Sequence, residues 1–111
     1  MAKFVLLYRA PVSFIEGMGN ATPEQQQQAM APWMAWFERC GAQLVDMGGP
    51  LANARWFDAN GERASDTDIV GYSLIEADSA EAARALVDGH PHVQWMDGCS
   101  VQMHQLMMPG G

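Results

Sequence analysis

The stretch that most constrains the fold is Asp68–Pro91, DIVGYSLIEADSAEAARALVDGHP. β-Type residues run into an acidic turn, then an alanine-rich helix, then Gly89-His90-Pro91. Ile69–Ala77 reads as a strand: Val70, Tyr72 and Leu74 point one way, and Ile69, Gly71, Ser73 and Ile75 the other. Gly71 inside it marks a bulge or a close backbone approach. Asp78 is the expected helix cap, with Glu81 at the third helical position. Ala82, Ala83, Leu86 and Val87 then form a narrow buried stripe, so this helix should lie close to a sheet, and Gly89 should end it. A strand followed by such a helix is half of a βαβ unit.

The other segments complete the pattern. Lys3–Arg9 is a strand whose centre is continuously apolar, which predicts burial on both faces. Ala10–Ala21 is a loop. Thr22-Pro23-Glu24-Gln25 opens a helix, with Thr22 as cap, Pro23 at the first position and Gln25 closing a capping box. That helix should reach Cys40 and stop at Gly41, with a kink or break at Pro32. Met30, Trp33, Met34 and Phe37 fall on one face, and Trp36 and Cys40 on the next. Gln43–Met47 is a second strand ended by Gly48-Gly49-Pro50. Asn60-Gly61, between Ala54–Asp58 and Glu62–Ala64, signals a hairpin. Pro91–Gly98 reads as a loop and Ser100–Met108 as the last strand.

With 111 residues, 49% of them hydrophobic, the chain is expected to be a single domain, residues 1–111. Its order predicts an α+β, ferredoxin-like sandwich with both helices on one face of the sheet. Val5, Leu7, Val45, Met47, Ile75 and Met107 are together too apolar for the other face to be wet. A homodimer packed sheet to sheet, a dimeric α+β barrel, would cover it.

The formal charge is −7, with nine acids against two bases in residues 56–111. Such a surface repels phosphate backbones and speaks against nucleic acid as a partner. No apolar run approaches the ~20 residues of a membrane span, and MAKFVLLYRAP lacks a signal-type apolar core. Cys40 and Cys99 make neither a disulfide framework nor a zinc pattern. A cytoplasmic protein with free thiols, no membrane partner and no cofactor is the expectation.

His90, between Gly89 and the rigid Pro91, is the first candidate for acid–base chemistry; the plainer reading is a helix cap. Asp46 is a charge among apolar strand residues and a candidate partner for it, or else an edge residue open to water. Tyr8, Arg9, Trp33, Tyr72 and Ser73 are candidates to line a sheet-floored pocket, though Tyr72 and Ser73 cannot share a face. His90-x-His92 with Asp97 and Cys99 lacks a recognised metal spacing, so no metal site is assigned.

FVLLYR at Phe4–Arg9, WMAWFERCGAQLVDMGGPL at Trp33–Leu51, GYSLIEADS at Gly71–Ser79, and GHP before the final GCSVQ strand carry a resemblance in their order and spacing. The chain resembles the YCII-related (YciI-like, DGPF-type) family. The resemblance implies a dimeric ferredoxin-like barrel and suggests a cofactor-independent enzyme acting on a small molecule. Some members pair a first-helix histidine with an aspartate. Here Pro23–Cys40 holds no histidine, and the Asp-Gly-Pro-Phe string is absent. Two classes stay open: an enzyme using His90 and Asp46, or a small-ligand-binding or regulatory dimer without turnover.

Overall fold

The computed structural model describes residues 1–11, 22–65, 67–95 and 98–107. β1 (Ala2–Arg9) is followed by α1 (Pro23–Cys40), a short 3-10 turn, and β2 (Leu44–Pro50). A hairpin of β3 (Arg55–Asp58) and β4 (Gly61–Ala64) leads to β5 (Ile69–Ala77), α2 (Ala80–Val87), α3 (Pro91–Trp95) and β6 (Ser100–Gln105). The four main strands form one antiparallel sheet in the order β2-β5-β1-β6. Counted as first to fourth main strands, this is the 2-3-1-4 arrangement of a ferredoxin-like βαββαβ sheet. The loop expected at Ala10–Ala21 falls mostly outside the described residues.

The two central strands set the core. β1 pairs with β5 so that Phe4 meets Ile75, Leu6 meets Ser73 and Tyr8 meets Gly71. All six are buried, and the side chains of the five other than Gly71 share the face on which the helices pack. Trp36 and Cys40 of α1 and Ala83 of α2 close the cluster. Val5, Leu7, Tyr72 and Leu74, on the opposite face, are half-buried. Ile75 belongs to the helix side, and Met107 lies beyond β6.

Local chemistry explains the boundaries. The Thr22 hydroxyl accepts the Gln25 N–H, and the Gln25 side chain accepts the Thr22 N–H, a complete capping box. The helix continues through Pro32 instead of breaking there. Its buried face is also rotated from the expected one. Trp36 and Cys40 point inward, Trp33 and Phe37 are half-buried, and Met30 and Met34 are exposed. Residues 33, 36, 37 and 40 form the i, i+3, i+4, i+7 stripe of an amphipathic helix.

The cap of α2 is Ser79, not Asp78: its hydroxyl accepts the Ala82 N–H at 3.1 Å. Pro91–Trp95, expected as loop, forms the one-turn helix α3, with Pro91 suited to its first position. The last strand ends at Gln105 rather than Met108. In the hairpin Gly61 is already paired, opposite Asp58, so the turn is centred on Ala59-Asn60.

β2 extends further than expected and is irregular. Its register slips twice against β5, between Leu44 and Asp46 and between Asp46 and Gly49. Gly48 sits in the second slip with φ +68°, and a Cβ there would lie 1.9 Å from the Tyr72 carbonyl oxygen. Only glycine fits.

Candidate functional site

The residues singled out in the sequence are divided between the two faces of the sheet. Tyr8, Ser73, His90 and Trp33 gather on the helix side, and Asp46 and Tyr72 on the other.

On the helix side, β1 presents Tyr8 beside Ser73 of β5, and the turn after α2 delivers His90 onto them. That turn is fixed by Gly89 at φ +72° and by the His90 N–H, which donates to the Val87 carbonyl at 3.0 Å. The His90 ring is fully buried among Tyr8, Trp33 and Trp36, with ring centroids 5.0, 4.9 and 4.4 Å away.

The hydrogen bonds fix its tautomer. The His92 N–H donates to His90 Nδ1 at 3.0 Å, so Nδ1 carries the lone pair. The single proton of the neutral ring is then on Nε2, which donates to the Tyr8 hydroxyl at 3.2 Å. Tyr8 donates to Ser73 Oγ at 2.6 Å, and Ser73 donates to the Met47 carbonyl at 2.8 Å. The chain runs in one direction and every member is satisfied. Among the described residues no buried side-chain polar atom lacks a partner.

The electrostatics agree with the geometry. Burial, reinforced by His92 and Arg39, pushes His90 down to about 3. Burial pushes the Tyr8 phenol up, against the opposing hydrogen bond with Ser73. Both groups therefore stay neutral around pH 7.

The expected meeting of Asp46 and His90 does not occur within the chain. Asp46 is exposed, opposite Leu74 in the register. Its Oδ1 accepts the Gly48 N–H at 2.8 Å, and its Oδ2 lies 3.4 Å from the Tyr72 hydroxyl. The sheet separates this pair from His90. Tyr72 and Ser73 take opposite faces, as the strand period requires.

Arg9, expected to line a pocket, grips Asp68 through Nε and Nη2 at 2.9–3.1 Å on the exposed rim. That contact holds the Asp68 carboxyl below the usual carboxylate range.

The His90-x-His92 spacing serves structure. His90 Nδ1 is engaged, and His92 Nε2 donates to the Arg9 carbonyl at 2.7 Å. Among the described residues no group of three or more His, Cys, Asp or Glu side chains is arranged to hold a metal ion; Asp97 lies outside them. Sequence reasoning missed His92 as a partner of His90. The two-residue spacing was the available signal, since a backbone N–H two positions on is within reach of a side-chain acceptor. No described helix is long and apolar enough to cross a membrane.

No known family model matches the chain, and no curated protein matches it. Among solved structures, the chain is similar to 5-chloro-2-hydroxyhydroquinone dehydrochlorinase (TftG) from Burkholderia phenoliruptrix AC1100, determined in complex with 2,5-dihydroxybenzoquinone. The two share 17% sequence identity over 92% of this chain and 91% of that one, with a TM-score of 0.49.

Proposed function

We propose that the chain is a homodimeric small-molecule-binding module, a side branch of the YCII-related proteins, whose ligand lies between two sheets packed open face to open face. The observation that carries this reading is the row Asp46–Leu74–Val5–His104, which crosses the sheet from edge to edge on the face away from the helices. Leu7 and Tyr72 form the adjoining pair. An apolar centre with polar ends is the anatomy of a protein interface, and a second copy would bury it under two-fold symmetry. Tyr72 and Asp46 supply a phenol and a carboxylate to whatever the interface encloses.

Binding is favoured over His–Asp acid–base catalysis for a geometric reason. Both ring nitrogens of His90 are engaged, its ring is walled by aromatics, and Asp46 bonds elsewhere. A general base must reach the proton it takes, directly or through one water.

Sedimentation at micromolar concentration should give about 24 kDa, twice the 12.1 kDa chain mass. Leu7→Glu places a charge at the centre of the face and should give a folded monomer. A wild-type monomer, or an unchanged dimer in the variant, would refute the assembly. Native mass spectrometry of the purified dimer should show a retained small molecule that Asp46→Asn releases; an empty dimer would refute the binding role.

A further inference from the structure

Four of the five arginines are paired with carboxylates: Arg9 with Asp68, Arg55 with Glu62, Arg63 with Asp58 and Arg84 with Glu81. Arg39 has no carboxylate partner among the described residues. In a chain with thirteen acids and six bases, an arginine without an acid is unexpected. Its neighbours Glu38 and Asp88 supply none: Arg39 Nη2 donates instead to the Leu86 and Asp88 main-chain carbonyls, at the C-terminal end of α2. Those two bonds hold the guanidinium in place and leave Nη1 for another acceptor.

Beside it lies a groove of about 240 Å³, walled by Pro32, Ala35, Trp36 and Pro91, with Arg39 and Gln94 also lining it. Gly89 borders the groove, and the position its Cβ would take is 3.8 Å from Arg39 Nη1 and 4.0 Å from Gln94 Nε2. Two donors thus converge on a space that any larger residue would begin to fill. The indole of Trp36 is held by its own N–H, which donates to the Leu86 carbonyl at 2.7 Å. This site is formed by α1 and α3, away from the open face, and does not depend on the dimer.

We propose that this groove binds a small monocarboxylate with a flat apolar body. The carboxylate would take Arg39 Nη1 and Gln94 Nε2, and the body would lie along the prolines and Trp36. A guanidinium suits a carboxylate better than a point charge does, because its planar fork matches the two oxygens. The apolar walls select the remainder of the ligand.

The test is an NMR titration of the full chain with sodium benzoate, reading the Trp36 indole N–H, the Gln94 side-chain amide and the Gly89 amide. Benzyl alcohol serves as the uncharged counterpart. Saturable shifts with a Kd on the order of 1 mM are expected for benzoate, with at least tenfold weaker binding of the alcohol. Ala35→Glu, at an exposed helical position, places an acid one turn before Arg39 and supplies the missing partner in cis. It should weaken benzoate at least tenfold. Equal binding of the two probes, or no saturation, would overturn the proposal on the wild-type protein alone. Unchanged benzoate affinity in a folded Ala35→Glu variant would overturn it as well.

Discussion

Acidification below pH 6.5 should destabilise this protein, and His90 is the reason. In the native state its pKa is pushed down to about 3, from an ordinary value of 6.5. The unfolded chain therefore takes up a proton on this residue below pH 6.5 while the native one does not. The stabilisation is fully present above pH 6.5 and is lost as the pH falls toward 3. Within that window the cost approaches about 1.4 kcal/mol per unit, and since the unfolded histidine is already half protonated at pH 6.5, lowering the pH from 6.5 to 4.5 should remove about 2.3 kcal/mol. The ion-paired Asp58 and Asp68 act in a lower window. Their carboxyls are held below 3.8, so their contribution is present above that value and lost beneath it. Urea midpoints at fixed protein concentration, at pH 6.5, 5.5 and 4.5, would measure the slope. His90→Gln provides the control. Its amide can still donate to Tyr8 but does not titrate, so it should be weaker at pH 6.5 and nearly flat below. Equal slopes in the two proteins would refute the assignment of a buried neutral histidine.

Three further substitutions probe the same architecture by chemical or thermal unfolding. Gly48→Ala should cost more than about 3 kcal/mol, because its Cβ would collide with the Tyr72 carbonyl and its φ is positive; a loss under 1 kcal/mol would refute the tight approach. Tyr8→Phe removes the acceptor for His90 and the donor to Ser73, and should cost about 1–3 kcal/mol; a neutral result would mean the hydroxyl is solvated in another way. Ser79→Ala should cost about 1 kcal/mol, whereas Asp78→Ala should cost much less, since the cap belongs to Ser79.

The order of elements was legible because its signals are local. The capping box at Thr22–Gln25, the period-two alternation of Ile69–Ala77 and the glycine after α2 each act within a few residues. The one-turn helix at Pro91–Trp95 was not legible, since five residues are too few to show a helical period. The failure of Asp46 to meet His90 has a specific cause. Strand parity assigns a face only while the register is regular, and β2 slips on both sides of Asp46. Each extra residue turns the following side chains over. Nor could the sequence place Tyr8 against His90 and Ser73, which are 82 and 65 positions away. Tertiary packing alone brings them together.

The buried polar chain becomes intelligible from its two ends. At one end is the Met47 carbonyl, in the irregular step between the pairs Asp46–Leu74 and Gly49–Tyr72. At the other is the His92 N–H, the second residue of α3, among the first N–H groups that a helix cannot satisfy internally. Both are backbone groups that local secondary structure leaves to other partners, and burying either alone would cost free energy. Ser73, Tyr8 and His90 join them side chain to side chain, with the donors all aligned. A histidine suits the last place because a neutral imidazole accepts on one nitrogen and donates on the other. A protonated ring would lose the acceptor and leave the His92 N–H facing another donor. The requirement that keeps the network complete is therefore the one that keeps His90 neutral, and it confines this histidine to holding a bulged strand and a short helix against the same sheet.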